Sequence, residues 1–534
     1  MELNHSESAA IIATDIGEFF APAQYGPLDA LLGQHAAMAA RISELATLMD
    51  SELSGAVPYF CDGNTPRDRY GAHPDAKRLF ELKGAMQALH ADYWRRALDL
   101  TGVRDLMPQE LRGKWDDDIR EMKTPEFTEE WATATIRDLL DSRERFFMEK
   151  VDGVFRGLSP THLTNRPEGF GPRFILSYAY PEGGSGTSYP NERFRGYMHD
   201  LRMVIAKFMG LPDPEWHSTY TLLCSVRRDG KWHPMDGGAI RIRAYMKGTA
   251  HLEVHPDMAW RLNRVLAHLY PMAIPSRFRE PPKSKPREWA AIERPLPGVI
   301  REQLKNCMRV NRHNTDRFVA SIPYGIEDKH IRAQLADVLT AIGGQRDRDD
   351  FRFDYEPWAA LDYLHMVGVM PDEVTHQYYP TPAEMAADLV AELDIGPDDK
   401  CLEPSAGRGA IAAQLPADRT TCVELAELNA IILESRGYTV ERGDFIAWAA
   451  QQARGSRRFD VIAMNPPYSQ GRAEAHINAA ASLLAEGGRL GAILPASLRG
   501  RGLVRGAASH EWSEPMSFDG VSIQVCRYIA RISE

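Results

Sequence analysis

The sequence predicts an α/β protein: a doubly wound parallel sheet over residues 371–534, preceded by a mainly helical region and an α+β region. Three observations carry this. From Lys400 onward, short apolar strands alternate with tight turns and helical stretches, the signature of a parallel sheet covered by helices. The first 150 or so residues instead place apolar side chains at helical spacing, in Gly26 to Ser51, Asp75 to Leu100 and Glu126 to Val154. From about Phe155 the texture becomes mixed. The expected order is 1–154 helical, 155–270 α+β, 271–370 a basic linker with helices, and 371–534 the sheet domain.

Composition narrows the class. At 534 residues the chain exceeds one ordinary domain, and a hydrophobic fraction of 44% supports real cores. No apolar run reaches the roughly 18 residues a membrane span needs. The polar, acidic start from Met1 to Ser8 is unlike a secretory leader. Six cysteines (Cys61, Cys224, Cys307, Cys401, Cys422, Cys526) lie far apart without a CxxC pair. That pattern fits a reducing cytoplasm and argues against a disulfide framework or a cysteine metal site.

In the middle region, Tyr220 to Val226 and Ala239 to His255 are β-rich, the second broken by a turn at Lys247-Gly248-Thr249. His251 and His255 would share a strand face, but no third ligand accompanies them, so no metal is expected. Residues 271–297 are proline-rich and basic, and helical segments follow to about Val369. The net charge of −11 does not announce a nucleic-acid binder. Locally, however, Arg277 to Arg317 holds eleven Lys/Arg against five acids. Arg277, Arg279, Lys283, Lys285 and Arg287 are its candidate phosphate contacts, with a solvated linker as the plain alternative.

In the sheet domain, Lys400 to Pro404 reads as a strand, Ser405-Ala406-Gly407-Arg408-Gly409 as a tight turn, and Ala410 to Leu415 as a helix start. Ligands of such sheets sit beyond the carboxyl ends of strands, so this turn faces the crevice. Gly407 and Gly409 lack a Cβ and let a ligand approach the backbone. The turn lacks GxGxxG spacing, which disfavours a dinucleotide. A second strand ends at Glu424, 21 residues after Glu403, with Leu425 beside it, where an acid can accept from ribose hydroxyls. A third strand ends at Gly443, placing Asp444 to accept from an adenine amine and Phe445 to pack on its ring. The set fits S-adenosyl-L-methionine better than NAD.

The strand Arg458 to Met464 runs into Asn465-Pro466-Pro467-Tyr468. Two prolines end a strand and turn the chain out at the carboxyl edge. An aromatic amine is a poor nucleophile because its lone pair is delocalised into the ring. The Asn465 amide oxygen and the Pro466 carbonyl can accept both amine protons and so release that lone pair. Proline fixes φ and holds the carbonyl ready, while Tyr468 offers a ring for stacking.

With these motifs in place, residues from about 376 to 534 resemble the N6-adenine DNA methyltransferases of the gamma arrangement, in which the cofactor motif precedes the catalytic one. Tyr379-Pro380-Thr381-Pro382 resembles the family's upstream cofactor-flanking motif. Glu403 to Gly409, including Pro404, Ser405 and Ala406, resembles its first motif, and Asn465 to Tyr468 its catalytic motif. Phe518 to Val525 is similar to the segment supplying a second aromatic to a flipped base, with Phe518 as a core residue in the other reading. The resemblance implies a Rossmann-like class I fold, S-adenosyl-L-methionine as cofactor, and duplex DNA as partner. It leaves room for a homodimer.

Phe155 to about Tyr270 resembles an uncharacterised domain of phage and prophage adenine methyltransferases, through Ser159 to Asn165, Phe170 to Arg173 and Lys247-Gly248. Only 66 residues follow Tyr468, and strands consume them. Target recognition is therefore expected within residues 1–370 or in trans. The tetrapeptide also serves enzymes that methylate protein glutamine or guanine N2 of RNA, and a catalytically idle DNA-binding protein could retain it. Those alternatives remain open at this stage.

Overall fold

The computed structural model describes residues 27–51, 55–57, 59–60, 79–158, 164–165, 168–183, 189–283, 292–307, 318–371, 381–468, 471–517 and 524–533. The chain forms two compact units, Asn4–His233 with Ala239–Ala290, and Pro234–Gly238 with Ala291–Glu534.

The first unit carries the helices α1 (Pro27–Met49), α2 (Leu82–Leu100), α3 (Val103–Leu106), α4 (Gln109–Arg120), α5 (Glu129–Asp141) and α6 (Arg143–Arg156). After them come β1 (Arg173–Leu176), α7 (Glu192–Phe208), α8 (Trp216–Ser225), β2 (His233–Met235), β3 (Ile240–Ala244), β4 (Ala250–Val254) and α9 (Pro256–Leu269). Apolar side chains at helical spacing explain α2, whose Leu89, Tyr93, Trp94, Ala97 and Leu98 are buried. They pack with Phe127, Ile136, Leu140 and Phe146. Thr128 caps α5 by accepting from the Trp131 amide, and Asn191 caps α7 by accepting from the Arg193 amide. The strands form a four-stranded sheet in the order β1-β4-β3-β2.

Two segments fold differently from what the sequence predicts. Tyr220 to Val226 lies mostly in α8 rather than in a strand. Its buried positions Thr219, Leu222 and Leu223 follow a helical period, which overrides the β-branched and aromatic composition. His255 is not on a strand face with His251. It follows β4 and caps α9, its Nδ1 accepting from the Asp257 amide at 3.1 Å. The hairpin turn holds, with Gly248 at φ +80° and its amide donating to the Tyr245 carbonyl.

The second unit begins with α10 (Gly298–Asn306), β5 (Phe318–Ser321), α11 (Lys329–Ala341), β6 (Gln345–Asp347), β7 (Asp350–Phe353) and α12 (Trp358–Met366). The three strands, in the order β5-β7-β6, lie in a region read from sequence as helical. They are only three or four residues long, too short to show a clear alternation.

The main sheet follows: α13 (Ala383–Ala391), β8 (Cys401–Pro404), β9 (Thr420–Glu424), α14 (Glu427–Ser435), β10 (Thr439–Arg442), α15 (Phe445–Gln452), β11 (Phe459–Met464), α16 (Arg472–Ala481), β12 (Leu484–Pro495), β13 (Ala507–Trp512) and β14 (Val525–Ile532). Its seven strands run in the order β10-β9-β8-β11-β12-β14-β13. The first five pair in parallel, and β14 and β13 close the edge antiparallel.

Period-two alternation assigns the two faces. Leu402, Ile462, Met464, Leu490 and Leu494 pack with α15 and α16. Cys401, Val461, Ala463 and Ile493 pack with α13 through Ala386 and Leu389. The expected helix from Ala410 to Leu415 is a single 3₁₀ turn, Ala412–Gln414, after which Leu415 is extended. Pro416 follows at once, and the residue before a proline is pushed out of the helical region. The strand order reverses between β8 and β11, so the crevice opens at their carboxyl ends.

Candidate active site

A cleft of about 850 Å³, open mouth included, lies at that reversal. Thr381, Glu403, Ser405, Ala406, Gly407, Glu424, Leu425, Asp444, Phe445, Asn465 and Pro467 line it, together with Arg408, Asn429, Gly443, Arg472 and His476.

The turn after β8 is built from left-handed backbone: Ser405 at φ +57°, Gly407 at +56° and Gly409 at +82°. A Cβ on Gly409 would stand 2.7 Å from the Leu433 Cδ2, so close packing on α14 also demands glycine there. The Ala406 amide donates to the Val423 carbonyl, tying the turn to β9. The Arg436 guanidinium bonds the Arg408 carbonyl and pairs with Asp354 at 2.9 Å, bracing the turn from outside.

Glu424, 7% exposed, accepts from the Gly407 amide at 2.7 Å and from the Ala426 amide at 2.8 Å. Burial raises its carboxyl above the ordinary range, and these backbone donors oppose the shift. Glu403 is more extreme. It is 3% exposed, and among the described residues its Oε2 has no hydrogen-bond partner. Burial pushes its carboxyl well up, against donation from the Ala412 and Ile411 amides, and the neighbouring Glu424 charge adds to the rise. A buried carboxyl oxygen left without a donor beside an open cleft calls for a cationic or hydrogen-donating ligand.

Part of the lining is apolar. Phe445 is buried, and Leu425 is 61% exposed although it lines the cleft, which leaves an apolar surface for a flat ring. Asp444 caps α15 by accepting from the Ala447 amide at 2.8 Å. His476 was not foreseen from sequence, nor was Arg472. They sit at i and i+4 of α16, so one helix face delivers both to the cleft. The His476 Nδ1 lies 3.3 Å from the Ser405 hydroxyl, and its ring centroid 5.4 Å from that of Phe445. Burial lowers its pKa, favouring neutral imidazole. That helical spacing, just after the tetrapeptide, was the signal available in the sequence.

At the carboxyl end of β11, the Asn465 amide is held from both sides. Its Nδ2 donates to the Thr381 hydroxyl at 3.0 Å, and the Tyr468 hydroxyl donates to its Oδ1 at 2.6 Å. Pro466 is buried. The Tyr468 ring packs against both sheet-face cores, and burial raises its phenol pKa, keeping the donor proton in place. Pro404 ends β8, and Pro382 precedes α13. Tyr379, Phe518, Lys285 and Arg287 lie outside the described residues.

Of the basic stretch, Arg301 and Lys305 are committed internally. Arg301 is buried and pairs with Asp236 at 2.9 Å, while Lys305 pairs with Asp362 at 3.0 Å. Arg277 and Lys283 are exposed, and Arg279 shares a shallow cleft with Arg264 and His268. Among the described residues no helix is long and apolar enough to cross a membrane, and no group of three or more His, Cys, Asp and Glu could hold a metal.

Two families match the chain. Residues 86–272 match a domain of unknown function, DUF4942, and residues 385–507 match the methyltransferase small domain. No curated protein matches. Among solved structures, an rRNA methylase from Streptococcus thermophilus is 12% identical, covering 29% of this chain and 99% of its own, with a TM-score of 0.22. TrmN from Thermus thermophilus is 15% identical over 38% of this chain and 67% of its own, with a TM-score of 0.24. The M protein of the type I restriction enzyme EcoKI is 13% identical over 39% and 55%, also at 0.24.

The fold assignment rests on the sheet order and the matched small domain. S-adenosyl-L-methionine presents an ammonium, a sulfonium, a ribose diol and an adenine. The cleft offers an orphaned buried carboxyl, a second acid at the end of β9, and a partly apolar lining, so the residues present fit it. The C-terminal part of the chain is a Rossmann-like methyltransferase domain with S-adenosyl-L-methionine as its methyl donor.

Proposed function

We propose that the chain methylates the exocyclic amine, N6, of adenine in duplex DNA, on a base turned out of the helix. The observation that carries this reading is the Asn465 amide, clamped between Thr381 and Tyr468 at the mouth of the cofactor cleft. Bound S-adenosyl-L-methionine supplies the electrophilic methyl group. With Nδ2 satisfied by Thr381, the Asn465 Oδ1 keeps a lone pair beyond the one taken by Tyr468. That lone pair and the Pro466 carbonyl accept the two amine hydrogens. Drawing both hydrogens out of conjugation turns a planar amine into a nucleophile, and fixed acceptors need no reorganisation as charge develops.

A base stacked in duplex cannot present its amine to a cleft at a sheet edge, so extrusion accompanies catalysis. Tyr468 supplies stacking, with Phe518 as the second ring. Arg277, Arg279 and Lys283 with Lys285 and Arg287 serve as phosphate contacts, and Arg264 beside Arg279 adds a further cation in a cleft that Glu280 shares. Incubation with labelled S-adenosyl-L-methionine and duplex DNA, RNA or protein, followed by nucleoside mass spectrometry, tests the reading. N6-methyladenine from DNA supports it. Label confined to RNA guanine or to protein glutamine overturns it.

A further inference from the structure

The four-stranded sheet of the first unit has two unlike faces. Ile240, Ile242, Ala244, Ala250, Leu252 and Val254 point inward and are fully buried. Alternation puts Arg241 and Arg243 of β3, and His251 and Glu253 of β4, on the other face. Strand register lines up Arg173, Glu253 and Arg241 in one row, with His251 and Arg243 in the next. Trp232 lies across these rows, its ring 5.2 Å from the Arg173 guanidinium and 5.0 Å from that of Arg243.

The charges on this face do not cancel. Among the described residues of these rows Glu253 is the one carboxylate; it pairs with Arg173 at 2.5 Å, with Arg241 4.0 Å away. Among the described residues Arg243 has no carboxylate partner, and its Nε is buried without a hydrogen bond. An exterior kept only for solubility mixes signs. Here a surplus of cations gathers around one indole, in a chain whose net charge is −11. Stacking on Trp232 restricts the two guanidiniums, so less freedom is lost when they meet a ligand. The side chain of Arg173 keeps 46% of its surface exposed and that of Arg241 27%, so these two guanidiniums of the row reach the surface.

We propose that this face, built from Arg173, Arg241, Arg243 and Trp232, grips the phosphate backbone of the duplex, an assignment that rests on the DNA reading above. Planar guanidiniums match phosphate oxygens, and a polyanion is the partner whose charge complements the surplus. Such contacts set affinity and register without choosing sequence. They act in addition to the 277–287 stretch.

The test uses the full-length protein with Arg173→Gln, Arg241→Gln and Arg243→Gln combined. Duplex binding is followed by fluorescence anisotropy from about 50 to 200 mM salt. Losing three phosphate contacts should flatten the slope of log affinity against log salt by about 2 to 3, and weaken unrelated sequences alike. Binding of S-adenosyl-L-methionine should not change. Crosslinking of wild-type protein to duplexes carrying 5-iodouracil gives a readout independent of the variant's folding, and crosslinks should fall within residues 173–253.

An unchanged slope in a folded variant overturns the assignment, as do crosslinks that avoid the sheet. If wild-type protein methylates duplex adenine while either of those results is obtained, only this surface is wrong. If it binds no duplex and labels RNA or protein instead, the functional reading fails and the surface assignment falls with it.

Discussion

Replacing Glu403 by Gln separates what the buried carboxyl does for the ligand from what it costs the fold. In the ligand-free protein Glu403 is 3% exposed, its Oε2 lacks a partner among the described residues, and its carboxyl titrates well above the ordinary range. A group whose folded pKa is raised contributes stability that is complete below its unfolded value, near 4.3, and is lost as pH rises through the folded value. The contribution of Glu403 to the stability of the unliganded domain should therefore shrink as pH rises above about 4.3. Glutamine preserves the size and keeps an oxygen for the Ile411 and Ala412 amides, but it removes the ionisable group.

An unsatisfied buried polar group costs about 1–3 kcal/mol, and more when charged. Each kcal/mol moves the melting temperature of a unit of this size by about 2–4 °C. Scanning calorimetry on the unliganded variant should show little change near pH 5. At pH 8 to 9 it should show a gain of several degrees, while affinity for S-adenosyl-L-methionine falls. In wild type that affinity should rise with pH, because a cationic ligand favours the ionised carboxylate and binding releases its proton. Equal melting temperatures at every pH, or a variant that binds the cofactor as tightly as wild type, would refute the role given to this side chain.

Asn465→Ala should lower the rate of transfer by about two to three decades, equivalent to roughly 3–4 kcal/mol, with cofactor affinity nearly intact by calorimetry; near wild-type turnover removes Asn465 from the chemistry. Tyr468→Phe deletes the donor held 2.6 Å from the Asn465 Oδ1, a contact worth about 1 kcal/mol, so single-turnover rates should fall roughly fivefold if orientation is its task. Gly409→Ala forces a left-handed alanine, costing about 1–2 kcal/mol before the clash with Leu433 is counted, and thermal melts should register the loss.

The sheet domain was legible in the sequence because its signals are local. Glu403 and Glu424 stand at or next to the end of a buried strand and Asp444 just past the short polar β10, and strand ends meet at one edge of a parallel sheet. Asn465 was legible for the same reason, the two prolines marking where β11 must stop. Arg472 and His476 escaped notice because their helix contributes to the cleft through a face, and a face becomes visible only when the helix is docked.

In the middle of the chain, Tyr220 to Val226 has strand-like residues on a helix, since burial at Thr219, Leu222 and Leu223 decides the outcome over propensity. The pairing of Arg301 with Asp236 spans 65 residues, so nothing in the local pattern separates that arginine from the exposed cations near it. The Trp232 stack has the same long-range character, joining Arg173 of β1 with Arg243 of β3.

We infer that this site methylates adenine in DNA through Asn465. Single-molecule sequencing of DNA from cells expressing either wild-type protein or Asn465→Ala reads modified bases and their context together. N6-methyladenine should be found in cells carrying wild-type protein and should be lost with Asn465→Ala. No modified adenine with wild-type protein, or the same modification with Asn465→Ala, would contradict it.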